Sequence, residues 1–258
     1  MKIGFLGTGT ITAAMVTGLN GAERGEDAIR LSPRNAAVAA NLAARFPEVT
    51  IATSNQQVLD ESDVVVIAVR PQIARDVLSA VRFRGDHHVI SLVSGFPVRK
   101  LSELVAPATQ IARAVPLPSM AKRRSPTAIY PRDAIAVELF GAVGAAFEVD
   151  SESEFDALCV ATATMASYFA FADTAASWLT RHGIAQTQAR NYVTQIFSGL
   201  TDTACDAPER DFQTLAREHA TKGGTNEQVL ASLNQHGVFE HFSDALDAIL
   251  RRVTAASQ

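Results

Sequence analysis

A short apolar run, Lys2–Leu6, leads directly into Gly7-Thr8-Gly9 and then into a helical pattern that begins near Thr10. The first glycine permits a tight turn, and the second lets the backbone come close to a pyrophosphate. The N–H groups of the following helical turn are unpaired within the helix and point at anionic oxygens. Gly7, Thr8, Gly9, Thr10 and Ile11 are therefore candidate contacts to a dinucleotide, with Thr12 in the place of the usual third glycine, where it thickens the helix–strand contact. At the end of the second strand-like run the acid that would hold a ribose 2′-hydroxyl is missing, and Ser32-Pro33-Arg34-Asn35 stands there instead. A hydroxyl and a guanidinium suit a 2′-phosphate through charge-assisted hydrogen bonds, which favours NADP over NAD as the cofactor. Ser32 is equally placed to cap the next helix. Ala68, Val69, Arg70 and Pro71 close the fourth run and Ser94-Gly95 the fifth. Strand ends of this kind bind ligands in doubly wound sheets, although Pro71 also suits a helix's first turn and Gly95 a plain turn.

A second constellation is Thr221-Lys222-Gly223-Gly224-Thr225-Asn226, just before an apolar-periodic helix. Two glycines and hydroxyl side chains ahead of a helix start offer exposed backbone donors to a substrate carboxylate, and they equally make a loop and an N-cap. The six histidines show no Ser/His/Asp, Cys/His or metal-ligand arrangement, so neither a nucleophile nor a metal is expected. His87 and His88, at a strand start, read as surface or core histidines, and Lys122-Arg123-Arg124 as a solvated loop. Asp173, mid-helix in an Ala-rich stretch, is the ionisable residue of that region to watch.

The elements that must position these residues fall into two sets. Up to about residue 150, short β-branched runs (KIGFLG, AIRLS, VTIAT, DVVVIAV, HHVISLVSG, QIARAV) alternate with helical patterns, which is βαβ punctuation. Val64–Val69 is apolar at consecutive positions, as parallel strands covered on both faces are. Beyond it, helical patterns span roughly 151–182, 185–205, 208–218, 225–235 and 239–254. The expected fold is α/β: a Rossmann-like doubly wound sheet, residues 1–159, followed by an all-α domain, residues 160–258. In the latter the small-residue helix 158–178 suits close helix contact, as core or as a subunit contact. With 258 residues, 47% hydrophobic and 19% charged, the chain has the makings of a large core. A net charge of −4 with scattered arginines supplies no field for nucleic acid. Charges interrupt the apolar runs, so no membrane span is expected, and the N-terminus does not read as a signal peptide; the expected location is cytoplasmic. Cys159 and Cys205 read as buried free thiols.

The Gly-x-Gly loop, Ser32-Pro33-Arg34, Asn55, Ala-Val-Arg-Pro-Gln at 68–72 and Gly-Gly-Thr at 223–225, in this order, resemble the pyrroline-5-carboxylate reductase family over nearly the whole chain. The resemblance implies a first domain that binds NAD(P)H and a helical domain that dimerises and builds the pocket for a small-molecule imine, in a homodimer or a multiple of dimers. It implies pyrophosphate binding by Gly7 to Ile11, 2′-phosphate binding by Ser32 and Arg34, ribose binding by Asn55, and further cofactor contacts from Ala68, Val69, Arg70 and Pro71. It also implies a substrate carboxylate on Thr221, Gly223, Gly224, Thr225 and Asn226, with Asn226 as the candidate catalytic residue. The departures lie on the substrate side. The family's Ser-Pro-Gly-Gly-Thr-Thr is here Thr221-Lys222-Gly223-Gly224-Thr225-Asn226, and its Met-Pro-Asn-Thr-Pro is Val115-Pro116-Leu117-Pro118-Ser119. Its Gly-Ser-Gly-Pro helix start is Ala163-Thr164-Met165-Ala166, ahead of Ser167 to Phe171. Rival readings are an imine reductase acting on another C=N bond and a non-catalytic NADP-binding regulator. β-Hydroxyacid dehydrogenases need a lysine on the interdomain helix, and 150–200 contains none.

Overall fold

A strand whose every residue is apolar needs cover on both faces, and the residues around Val64–Ile67 obtain it. The computed structural model describes residues 1–22 and 27–257. One compact unit comprises Met1–Cys159 and the C-terminal residues from Arg252, and a second comprises Val160–Arg251. The first runs β1 (Lys2–Leu6), α1 (Thr10–Asn20), β2 (Ala28–Leu31), α2 (Ala36–Arg45), β3 (Val49–Ile51), α3 (Asn55–Asp60), β4 (Val64–Ile67), α4 (Pro71–Ser79) and β5 (His88–Ser91). It continues with α5 (Val98–Val105), β6 (Gln110–Val115), a 3-10 turn (Pro118–Lys122), β7 (Ser125–Tyr130), α6 (Ala134–Ala142), β8 (Gly144–Glu148) and α7 (Glu152–Ala161). The sheet order is β3-β2-β1-β4-β5-β6-β7-β8. Every neighbouring pair is parallel except β6 and β7. The reversal of strand order beside β1 is the switch point at which such sheets open a crevice.

Successive side chains of a strand point to opposite faces, and here each face has its own core. Ile3, Phe5, Val64, Val66 and Ile90 join one cluster with α1, α2 and α6, whereas Leu6, Val65, Ile67 and Val89 join another with α3, α4 and α5. This is the Rossmann-like doubly wound architecture expected from the apolar runs. The two strands that lack a clear signature, β7 and β8, carry Pro126 and an Ala-rich run. Pro126 pairs on one side only: it stands opposite Ala145 of β8, whereas β6 pairs only with Ala128 to Tyr130.

The second unit is helical: α8 (Thr164–Arg181), α9 (Gln186–Asp206), α10 (Phe212–His219), α11 (Thr225–Gln235) and α12 (Val238–Ser257), the last continuing past its boundary. The helix expected over 151–182 is two helices, broken at Thr162–Ala163, where the Thr164 hydroxyl donates to the Ala161 carbonyl at 2.8 Å. A second correction concerns the membrane argument. No charged residue stands between Asp156 and Asp173, and Glu152–Arg181 is long and apolar enough to cross a bilayer by length and composition alone. Met165, Tyr168, Phe169, Phe171 and Trp178 are exposed on α8, Phe169 to 69%. Cys205, expected to be buried, is exposed on α9; Cys159 is partly buried, and burial pushes its thiol pKa up to about 12.

Candidate functional site

Gly7, at the end of β1, has φ +102°, and a Cβ there would lie 2.5 Å from the Ala68 carbonyl oxygen at the end of β4. Both the backbone angle and the contact demand glycine. Gly9 differs. It is the N-cap of α1 in an extended conformation, and a Cβ on it would meet nothing within 4 Å. The first intrahelical bond runs from Ala13 N–H to Gly9 O at 2.9 Å, so the N–H groups of Thr10, Ile11 and Thr12 have no acceptor within the helix. No side chain caps this end. An open space lined by free amides at the positive end of a helix fits an anionic phosphate.

At the end of β2, Ser32 is wholly buried, and its Oγ accepts from Gly7 N–H at 3.0 Å. Thr8 Oγ1 donates to the Ser32 carbonyl at 2.8 Å and lies 3.1 Å from Ser32 Oγ. Ser32 does not cap α2, whose N-cap is Asn35 at φ 64°. The Asn35 amide donates to Thr8 O at 3.1 Å, and Thr12 Oγ1 donates to Gly7 O at 2.7 Å. Arg34, by contrast, is exposed and forms no ion pair among the described residues. Asn55 opens α3 behind the N-cap Ser54. Ala68 and Val69 are half-buried, and Arg70 is the exposed N-cap of α4, which starts at Pro71. Since β1 to β4 are parallel, these residues all lie on one edge of the sheet. The roles of Thr12 and Asn35 went unseen in the sequence; the hydroxyl in a glycine slot and the turn-prone Asn before a helix were the available signals.

The loop 221–226 opens α11 with Gly224 as N-cap and Gly223 at φ +74°. Gly224 N–H donates to Thr221 O at 2.7 Å, and a Cβ on Gly224 would lie 2.8 Å from that oxygen, so the turn itself needs glycine. Gly223 N–H donates to the Glu227 carboxylate at 2.6 Å. The Asn226 amide nitrogen donates to His219 O at 2.9 Å, tying α11 to the end of α10. The N–H groups of Thr225, Asn226 and Glu227 are left facing outward from the helix start. The Glu227 carboxylate takes the Gly223 N–H, one of the backbone donors expected to meet a substrate anion. Asp173 is exposed on a groove of about 590 Å³ between α8 and α9, together with Arg181 and Arg190. Lys122, the last residue of the 3-10 turn, and Arg123 and Arg124 after it are exposed.

Three buried polar groups serve the scaffold. His87 Nε2 bonds Leu59 O at 3.0 Å and its Nδ1 accepts from Arg84 N–H, while burial lowers its pKa. His88 is held between Asp133 and Gln110, and the Asp133 hydrogen bond raises its pKa. Arg113, on β6, is buried. It bonds Glu152 at 2.6 Å, reaches Asp156 at 3.5 Å and lies over the Phe155 ring at 4.3 Å, fastening the first turns of α7 to the sheet.

Fold and site define the class: a Rossmann-type dinucleotide unit followed by a helical unit. Residues 2–95 match the model for NADP oxidoreductase, coenzyme F420-dependent, and residues 152–255 match that for pyrroline-5-carboxylate reductase dimerisation. A pyrroline-5-carboxylate reductase of Vibrio alginolyticus is 29% identical over 97% of this chain and 96% of its own length. The same enzyme of Streptococcus pyogenes superposes with a TM-score of 0.86 at 22% identity, over 99% of this chain and 98% of that one. The Plasmodium falciparum pyrroline carboxylate reductase, solved with NADP bound, gives 0.85 at 19% over 100% and 98%. These two structural likenesses concern the fold. The helical half thus matches the pyrroline-5-carboxylate reductase dimerisation model, and the chain is similar to reductases of that family over nearly its whole length.

Proposed function

We propose that the chain is an NADPH-dependent reductase of a cyclic imine, with pyrroline-5-carboxylate as the first substrate to test. The observation that carries this reading is the open, amide-lined start of α1 beside the exposed Arg34. In it, the amides from Gly9 to Ile11 take the pyrophosphate, Arg34 the 2′-phosphate and Asn55 a ribose. Ala68 to Pro71 form the neighbouring wall. NADPH, when bound, supplies the hydride that reduces the C=N carbon. The protein's own work is to hold the imine in line and exclude water, which explains why no nucleophile is needed. Thr221 and the amides of Thr225 and Asn226 are the seat proposed for a substrate carboxylate, with Asn226 Oδ1 the side-chain atom left over for the substrate. An NADPH-consumption screen over pyrroline-5-carboxylate, pyrroline-2-carboxylate, piperideine carboxylates and uncharged imines tests the reading; no turnover of any of them supports the non-catalytic regulator instead.

Arg34→Asp is expected to weaken NADPH binding roughly ten- to a hundredfold while sparing NADH, since a charged hydrogen bond is worth about 1.5–3 kcal/mol. Equal affinity of the unaltered protein for both cofactors would contradict this.

The Glu227–Gly223 bond favours a second reading, an imine without a carboxylate, because the chain's own anion competes for the helix start. Glu227→Gln separates the two. If a carboxylate sits here, removing the competing charge lowers its Michaelis constant about two- to fivefold, since charges at a helix N-terminus are worth roughly 0.3–1 kcal/mol. An unchanged constant for carboxylated imines points to the uncharged substrate.

The exposed aromatic face of α8 is the kind of apolar patch that subunit contacts cover. We infer a homodimer, or a multiple of dimers, built on the helical unit; sedimentation velocity at micromolar concentration is expected to show the dimer or larger, and a stable monomer contradicts it.

A further inference from the structure

We propose that Thr12, Ser32 and Asn35 are positioning residues that clamp the Gly7-Thr8-Gly9 turn from the inside, leaving Arg34 as the only residue of the 32–35 segment that discriminates NADPH from NADH. The inference rests on the cofactor reading above and departs from it at Ser32, which drops out as a phosphate ligand.

Three polar backbone groups of the turn that helix and sheet leave unpaired are each met by a side chain. Gly7 N–H is met by Ser32 Oγ at 3.0 Å, Gly7 O by the Thr12 hydroxyl at 2.7 Å, and Thr8 O by the Asn35 amide at 3.1 Å. Ser32 and Thr12 are both inaccessible to solvent. The single proton of the Ser32 hydroxyl, the one thing it could offer a phosphate, is already spent. It accepts from Gly7, and the Thr8 hydroxyl spends its proton on the Ser32 carbonyl, so the Ser32 proton has Thr8 Oγ1 as its acceptor. A phosphate could recruit it only by dismantling the turn. Asn35 adopts a left-handed backbone, tolerable for Asn, that turns its amide onto the loop and ends the segment with Arg34 in solvent. The hydroxyl of Thr12, in the slot of a third glycine, thus fixes the turn by a bond where glycine would do so by close packing.

The experiment measures the dissociation constants of NADPH and NADH on the full chain, with thermal melting as the check on folding. Ser32→Ala and Thr12→Val each strand a buried backbone group and are expected to weaken both dinucleotides about tenfold, leaving their ratio unchanged. Thr12→Ser, which keeps the hydroxyl, retains native affinity. Asn35→Gly keeps the left-handed backbone at an exposed position and weakens both about threefold, so the inference stays testable even where the buried variants fail to fold. Loss of NADPH affinity alone in Ser32→Ala overturns it, as does unchanged affinity in the folded variants. An unaltered chain that binds neither dinucleotide overturns instead the cofactor reading on which this rests.

Discussion

Gly9→Val is expected to leave the fold intact and to abolish dinucleotide binding. The residue has φ −100° and ψ −166°, which any L-amino acid adopts, and its Cβ would project into open space. The melting temperature should therefore hardly move. The same open space is where the pyrophosphate must approach the amides of Thr10 and Ile11, and a branched side chain there pushes it out of hydrogen-bonding range. Losing two charge-assisted bonds at about 1.5–3 kcal/mol each corresponds to a hundredfold or greater loss of affinity. Calorimetric titration with NADPH checks it, and near-native affinity in the folded variant would remove the turn from the site. Gly7 is the contrasting position: its substitution strains φ and collides with Ala68, so a loss of binding there would say nothing about contact.

The second large effect is on stability. Arg113→Leu should destabilise the protein by about 3–5 kcal/mol, the cost of leaving the buried Asp156 without its cation. Asp156 is nearly buried, and burial already raises its pKa, with Arg113 pulling the other way. Without Arg113 the carboxyl rises further. An acid whose folded pKa lies above its unfolded value loses stability as pH climbs through that range, so the deficit should be larger at pH 8 than at pH 5. Urea unfolding at both values measures it. A deficit below about 1 kcal/mol, or one independent of pH, would mean that the charges are solvated in the native state.

Arg113 also shows what the sequence does and does not disclose. A charge inside the apolar run QIARAV announces a buried partner, yet its acids lie some forty residues downstream, and only the folded chain names them as Glu152 and Asp156. The inner strands β1 and β4 were legible because burial on both faces forces consecutive apolar residues, and β2 and β3 from their short β-branched runs. β7 and β8 were not, since Pro126 and an Ala-containing run carry no such mark. The Gly7–Gly9 turn was legible from position and type. Ser32 was visible as a hydroxyl beside a guanidinium, but whether it faces solvent or the loop depends on burial, and burial turns it inward. In the helical unit, Thr162–Ala163 breaks a pattern that periodicity alone runs through. The stretch between Asp156 and Asp173 shows that the charges framing an apolar run need not interrupt it.

Deuterium transfer tests the central claim most directly. The protein, incubated with pyrroline-5-carboxylate, the other cyclic imines and NADPH deuterated at the transferable C4 position of the nicotinamide, is followed by mass spectrometry of the amine product. The account predicts a product one deuterium heavier, with the label on the former C=N carbon, formed from NADPH in preference to NADH. NADPH that binds but leaves every imine unreduced, or a product without the label, would contradict it.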